Sequence, residues 1–265
     1  MIGTNLILSI FILLTNNKEL GRFISDLDTE RFGFPVARVK EWDKLNPTKL
    51  LHQLEDNGIK LVISKIPEDE ITTLQKLKSL GFKEMDKIIH LEREFPKEVL
   101  NLHFSSSEFE YREASEQDVP QLQAIAQHSF LGGHYFADPK LDKTRCKEIY
   151  PDWILRSCTG EIGDKVYVAH LDNEIAGFAT FEIKDSFTLW AGIGATNKNF
   201  RNKGVCRSIL QFGINEYFRE NRFKFFGSAI SKTNSPVNKV FSDLGCHPTK
   251  RFYILHGWLA PSINQ

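Results

Sequence analysis

The chain has 265 residues, 41% hydrophobic and 26% charged, the balance of an ordinary soluble globular protein with enough length for two cores. Its 34 Lys and Arg offset its 34 Asp and Glu, which excludes a global field pulling it toward nucleic acid or anionic lipid. Any cationic site must be local.

Cys146, Cys158, Cys206 and Cys246 are scattered, with no Cys-x-x-Cys pair and no His-bearing spacing, so neither a disulfide framework nor a metal site is expected. This fits a reducing, cytoplasmic setting. The apolar run LILSIFILL, Leu6 to Leu14, is far shorter than the roughly 20 residues that cross a bilayer. It has neither a basic flank nor a cleavage site. It reads as a buried strand or short helix.

GFPVARV (33–39), IKLVISKI (59–66) and DKIIHLERE (86–94) read as strands. Between the last two, PEDEITTLQKLKSLGF predicts a helix that starts at Pro67, with Ile71, Leu74, Leu77 and Leu80 on one face and Gly81 as its stop. The softer stretch FPKEVLNLHFSSSEFE (95–110) marks a linker, dividing an N-terminal α/β domain (1–105) from a second domain (106–265).

The second domain opens with a helix entered through Ser115, where Asp118 makes a capping box. DKTRCKEIYPDWILRSCTG (142–160) predicts a helix broken by Pro151, with a second helical stretch ending at Gly160. KVYVAHL, EIAGFATFEI and FTLWAGIGA (165–195) follow with short polar connections, an antiparallel meander. VCRSILQFGINEYFREN then reads as a helix and FKFFGSAIS (223–231) as a strand. LVISKIPEDEITTLQKLKSLGF (61–82) and GSAISKTNSPVNKVFSDLGC (227–246) share the order strand, Ser-Lys, helix, Leu-Gly. This points to a weak internal duplication.

The segment NKNFRNKGVCRSIL (197–210) places Arg201, Lys203 and Gly204 between a strand and a helix. Backbone N–H groups converge at such a turn, the helix N-terminus makes the spot locally positive, and glycine admits a bulky anion; phosphate is the usual occupant. A solvated helix cap has the same composition. The preceding strand carries Gly192 and Gly194, a signal of a bulge or of close backbone approach. Asn234 stands at the next strand end and helix entrance.

In this order and spacing, residues 110–259 resemble the GCN5-related N-acetyltransferase (GNAT) family, whose acyl-CoA site has the pattern Arg/Gln-x-x-Gly-x-Gly/Ala. Here the pattern reads Arg201-Asn202-Lys203-Gly204-Val205-Cys206. The resemblance implies an α/β fold with a central mixed, mostly antiparallel sheet flanked by helices, preceded by a smaller N-terminal α/β domain like a partial half of the same fold. It implies acetyl-CoA or another acyl-CoA as co-substrate, its diphosphate on that loop, and no metal. Ile193, Gly194 and Ala195 would offer backbone groups to the pantetheine arm and thioester, with Asn234 beside that arm. Two positions depart from the pattern. Cys206 fills the last Gly/Ala place, and Phe241 stands where many members have the tyrosine that protonates the leaving thiolate.

DLDTERFGFPVARV, IKLVISKIPEDE and LGFKEMDKIIHLER in the first half resemble nucleotide-sugar N-acyltransferases that act on dTDP-4-amino-4,6-dideoxygalactose. HYFADP (134–139) and YPDWILRSCTG match segments of the same group, with Tyr135 in place of an arginine. The resemblance implies a nucleotide-linked amino sugar as acceptor. His134, whose ordinary pKa suits removal of an amine proton, and Tyr135 are then the candidate catalytic residues. Phe136 and Asp138 are candidate substrate contacts, although the rings also suit packing and Asp138-Pro139 a turn. His170 and Glu182, on the meander, are other candidate bases. Another amine acceptor, and a non-catalytic acyl-CoA-binding protein with the same fold, stay open. Sheet edges of this kind can pair between subunits, which allows a homodimer.

Overall fold

The computed structural model describes residues 18–42, 44–95, 108–163, 165–219 and 223–259. The Leu6 to Leu14 run and most of the expected linker lie outside them.

The elements up to the linker are α1 (Lys18–Gly21), α2 (Asp26–Phe32), β1 (Val36–Val39), α3 (Pro47–Asp56), β2 (Leu61–Pro67), α4 (Ile71–Ser79) and β3 (Lys83–Glu94). After it come β4 (Glu110–Glu113), a 3-10 turn (Glu116–Asp118), α5 (Val119–Ser129), α6 (His134–Ala137) and α7 (Lys143–Cys158). The meander is β5 (Lys165–Leu171), β6 (Glu174–Asp185) and β7 (Thr188–Thr196), followed by α8 (Val205–Phe218), β8 (Phe225–Ser231), α9 (Ser235–Asp243) and β9 (His247–Trp258).

These elements form two compact units. The first comprises Met1–Lys87, Gly133–Arg145 and Arg251–Gln265, the second Ile88–Gly132 and Cys146–Lys250. The chain leaves the first unit inside β3, visits it again for Gly133–Arg145, and returns to it inside β9.

In the first unit β1 runs parallel to β2, and β2 runs antiparallel to β9. Register decides what each sheet face carries. Ala37, Val39, Val62 and Leu255 point into a core with Leu50 and Leu54 of α3 and Leu77 of α4. On that face Trp42 donates Nε1–H to Ser64 Oγ at 3.0 Å, and the Phe82 ring fills the space where Gly257 lacks a side chain. The opposite face carries the row Arg38, Ile63 and His256, and the row Val36, Leu61 and Trp258.

In the second unit the strand order is β3-β8-β7-β6-β5-β4, antiparallel throughout except for the parallel β7–β8 pair. β6 is buried continuously from Ile175 to Phe181, because both of its faces are covered. Phe181, Leu189 and Phe226 pack with Ile209 and Ile214 of α8 and Phe241 of α9. Val168, Phe178 and Ile193 pack with Leu122 of α5 and Ile154 of α7.

The two strand-helix-strand segments noted in the sequence exchange their last strands. β9 completes the first unit beside β2, and β3 completes the second beside β8. One constant residue shift carries Leu61↔Trp258 onto Phe225↔Glu94 and Pro67↔Phe252 onto Ser231↔Ile88, and also carries Leu80-Gly81 onto Leu244-Gly245. The ladders are therefore equivalent end to end.

Most predicted elements are present. Two helix boundaries differ. Pro67 closes β2 rather than opening a helix, and α4 begins after Glu70. Lys143–Cys158 is one helix with Pro151 inside it: proline removes one N–H donor from the ladder, and buried Cys146, Ile149 and Ile154 hold the turns on either side. Among the described residues no helix is long and apolar enough to cross a membrane.

Candidate functional site

β7 prepares the site in the second unit. Gly192 and Ile193 together stand opposite the single Thr180 of β6, a bulge. The Ile193 N–H donates to Thr180 Oγ1 at 2.9 Å, and a side chain at 192 would begin 2.5 Å from that oxygen. Glycine is needed there because the hydroxyl occupies the space.

The same bulge ends the parallel ladder. Pairing of β7 with β8 runs from Thr188↔Phe225 to Ala191↔Ser228 and stops, while β7 continues to Thr196 and β8 to Ser231. The Ser228 hydroxyl donates to the Ala191 carbonyl at 2.9 Å at this last rung. Beyond it the two strands part. The Asn197 N–H donates to the Ala176 carbonyl at 2.9 Å, and counting back through Ala195↔Phe178 places Gly194 and Thr196 at positions that turn N–H and C=O away from β6. Those groups face the gap left by β8.

After β7 the chain enters α8 through exposed Arg201, Asn202, Lys203 and Gly204. Asn202 and Gly204 take left-handed backbone angles (φ 64° and 78°), which brings the N–H groups of the first α8 turn to one spot. The Ser208 N–H bonds back to the Gly204 carbonyl at 3.0 Å, leaving the N–H groups of Val205, Cys206 and Arg207 as the first-turn donors. Lys203 pairs with Glu108 at 3.0 Å. Arg201, Lys198, Asn197, His128 and Ser129 line a cavity of about 220 Å³. Cys206 is half-buried, and burial pushes its thiol up to about 11, so it stays protonated and a poor nucleophile at neutral pH. Asn234 caps α9, its side chain accepting from the Val237 N–H, and Asn238 bonds the carbonyls of Ser231 and Asn234 at 2.9 and 2.8 Å. The Phe241 ring is buried and stacked on Phe226, with centroids 5.7 Å apart.

The residues of HYFADP belong to the first unit, where they meet the polar rows of its sheet. Asp138, 1% exposed, accepts at Oδ2 from Trp258 Nε1–H at 2.8 Å and pairs with His256 Nδ1 at 2.7 Å, while the Lys140 N–H donates to Oδ1. His256 Nε2 in turn lies 2.9 Å from His134 Nδ1. Burial raises the Asp138 carboxyl, but its hydrogen bonds from His256, Lys140 and Trp258 outweigh that and hold it at about 2. Burial, reinforced by His256 and Arg38, pushes His134 well below its ordinary value.

Beside this chain the Tyr135 hydroxyl donates to Asp28 Oδ1 at 2.8 Å and accepts from Arg38, which also donates to Asp28 Oδ2 at 2.5 Å. Burial lifts the Tyr135 hydroxyl far above the usual tyrosine range. Phe136 is half-buried. His170 lies at the end of β5, 3.8 Å from Glu110, and Glu182 is exposed on β6. Two participants were not singled out in the sequence, His256 and Trp258. Their signal was a polar and an aromatic side chain on one face of a buried strand, with period two. Among the described residues no His, Cys, Asp and Glu cluster could hold a metal ion.

Residues 125–246, just under half of the chain, match the model of the acetyltransferase (GNAT) family. That stretch contains the bulge, the parting strands, the glycine turn and Asn234. Among solved structures the chain is similar to a tandem GNAT protein from the clavulanic acid biosynthesis pathway, at 13% identity over 87% of this chain and 77% of that one, TM-score 0.62. It is similar to a GCN5-related N-acetyltransferase from Sphaerobacter thermophilus at 13% identity, over 83% of this chain and 70% of that one, TM-score 0.58. A functionally unknown conserved protein from Staphylococcus epidermidis gives 12% identity, 86% of each chain and a TM-score of 0.58. Likeness at these identities is one of fold. No curated protein sequence matches. The fold is that of these GNAT structures, a mixed α/β sheet flanked by helices.

Proposed function

We propose that this protein transfers a short acyl group, acetyl in the simplest case, from an acyl-coenzyme A to the amine of a nucleotide-linked amino sugar. The observation that carries the reading is the parting of β7 from β8 after Ala191↔Ser228, directly ahead of a helix entered through left-handed Gly204. Backbone donors freed by the first feature suit a thioester and its amide-bearing arm. Those gathered by the second suit a diphosphate.

In this reading the N–H groups of Val205, Cys206 and Arg207 hold the diphosphate, with Arg201 and Lys203 adding charge around Asn202 and Gly204. Gly194 and Thr196 bond the pantetheine arm, and Asn234 flanks it. Ile193 and Ala195 serve differently: their N–H groups turn to β6, so they fix the strand rather than bond the ligand. The Gly194 N–H is the donor suited to the oxyanion.

The neutral amine attacks the thioester carbonyl, a C–N bond forms, and the tetrahedral intermediate expels the thiolate as the C–S bond breaks. The proton that the amine loses passes to water or to a base, for which the sequence offers His134 as a candidate. Phe241 has no proton to give, and a thiol pKa of about 8.5 lets the thiolate leave unaided and be protonated by water. The Tyr135 hydroxyl is committed to Asp28 and Arg38, so its part is to position the loop.

The amino-sugar acceptor rests on the resemblance of residues 26–39, 59–70, 80–93, 134–139 and 150–160, with Phe136 as the ring offered to the sugar or base. The four cysteines are free, which suits a cytoplasmic location. A thiol-release assay with acetyl-CoA against dTDP- and UDP-linked amino sugars, run beside Gly204→Glu, tests the proposal. Release with one sugar, lost in the variant, is expected. Acetyl-CoA binding without release from any sugar, but with release from another amine, would replace the acceptor. Binding without release from any amine would leave a non-catalytic acyl-CoA protein.

A further inference from the structure

The repeat of strand, helix and strand extends one strand further back, to β1 and β7. The residue shift that carries β2 onto β8 takes residues 61–64 onto 225–228, and these are the residues that pair with β1 and with β7. Both parallel ladders therefore have equivalent rungs from first to last. Each ends at a serine, Ser64 or Ser228, and each leaves the end of its strand, 65–67 or 229–231, beyond the last rung. The first unit holds its own copy of the place where two parallel strands part.

What stands in that place differs. The third residue past the last rung is Gly194 in the second unit and Trp42 in the first. Trp42 is 1% exposed, and its Nε1–H donates to Ser64 Oγ, the hydroxyl of the last rung, at 3.0 Å. Its ring meets Phe82 edge-on with centroids 6.0 Å apart, in the core with Leu50 and Leu54 of α3 and Leu77 of α4. A large flat side chain thus lies where the second unit has none.

The helix entrance is closed as well. The second unit enters α8 through left-handed Asn202 and Gly204, whereas among the described residues from 40 to 47 no backbone φ is positive. Pro47 opens α3 without an N–H, the Lys49 N–H is taken by the Asn46 side chain at 3.1 Å, and the Leu50 N–H bonds back to the Asn46 carbonyl at 3.0 Å. This leaves Thr48 as the first-turn donor, too little for an anion nest. The shift also puts Glu70 where the second unit has Asn234, a carboxylate in place of an amide.

We propose that the first unit carries a second acyl-arm cleft that its own Trp42 fills and keeps shut, so that the chain takes up one acyl-CoA, in the second unit. Trp42 stands in for the thioester arm, and Ser64 receives its N–H. The count of one rests on the proposed acyl-CoA site; the plug does not, because it follows from the two ladders alone.

Two measurements on the full chain test it. Calorimetric titration with acetyl-CoA is expected to give one site per chain, and two sites would overturn the proposal. The second uses the acetyl thioester of N-acetylcysteamine, a short arm without the diphosphate, and reads backbone amide shifts by ¹⁵N NMR. In Trp42→Gly the probe is expected to shift Val39, Ser64 and Ile66, and at the same concentration to leave them unmoved in the wild type. Shifts at these residues in the wild type would show an open cleft, and none in the variant would make Trp42 an ordinary core residue; either overturns the plug. Trp42→Leu, which keeps part of the apolar volume, serves should Trp42→Gly fail to fold. A wild type that binds no acetyl-CoA would overturn the proposed transfer, while the probe on Trp42→Gly still decides the plug.

Discussion

The Ile193 N–H and the Thr180 hydroxyl, 2.9 Å apart, replace the rung that the β6–β7 ladder loses at its bulge. Thr180 is 3% exposed, so removing its oxygen leaves a buried donor without a partner. Thr180→Val should therefore cost about 1–3 kcal/mol in urea unfolding. Thr180→Ser keeps the oxygen and should stay within about 1 kcal/mol of wild type. If the bulge aims Gly194 at the thioester, Thr180→Val also lowers kcat for acyl transfer more than it weakens coenzyme binding. Equal effects on the two would separate the bulge from the chemistry.

Gly204 offers a cleaner test of the anion site. Its φ of 78° disfavours any side chain, but an added Cβ would meet nothing within 4 Å. Gly204→Ala should cost only about 1–2 kcal/mol, the penalty of a left-handed alanine. If the turn holds the diphosphate as proposed, acyl-CoA affinity should fall much further, about tenfold or more, because the methyl would stand in the path of the diphosphate to the main chain. Calorimetry with acetyl-CoA and a thermal melt on the same sample decide it. Unchanged affinity would mean that the glycine serves only the turn.

The Gly204 turn and the meander were legible because their signals are local: period-two strands, short polar connections, a glycine before an apolar helix. Asn46-Pro47 followed by Leu50, Leu51 and Leu54 carried an equally local signal for α3 that the strand patterns around it obscured. Pro151 misled in the other direction. Its effect on a helix is a free-energy cost that burial on both sides can exceed, and burial is not local information. The acid-histidine chain is harder still. Asp138 and His256 meet only because strand exchange returns β9 to β2, and residues 133–145 join that unit from the middle of the chain. No pattern within a window could pair them.

Acid should weaken the first unit in a defined way. Asp138 is held at about 2 against an ordinary 3.8, so its ionised form is favoured in the folded state. A depressed carboxyl contributes fully above its unfolded pKa and loses that contribution as the pH falls through its folded one. The window is thus about pH 4 down to 2, and the amount about 2 kcal/mol. Asp28, lowered by Arg38, Ser25 and Tyr135 against the effect of burial, acts in the same sense. Urea unfolding of wild type and Asp138→Asn should differ by about 2 kcal/mol at pH 7 and converge toward pH 2. A gap that does not change with pH would place the stabilisation in packing rather than in charge.

Gly213 sets two familiar effects against each other. It lies in the interior of α8, where alanine is favoured over glycine by about 1 kcal/mol, so helix propensity predicts a stabilising Gly213→Ala. The added Cβ, however, would fall 2.2 Å from Phe181 Cζ. That ring is fully buried and hemmed in by Tyr167, Tyr217 and Phe226 at centroid distances of 5.6, 6.0 and 6.4 Å. It has little room to yield, and overpacking of this kind costs about 1–3 kcal/mol. Gly213→Ala should then be destabilising on balance, and Phe181→Leu should be less harmful in the Gly213→Ala background than alone, since the smaller side chain frees the space that the methyl needs. Melting temperatures of the four proteins measure both signs. A Gly213→Ala protein that melts above wild type would show that Phe181 can move aside, and that backbone entropy outweighs the packing beneath α8.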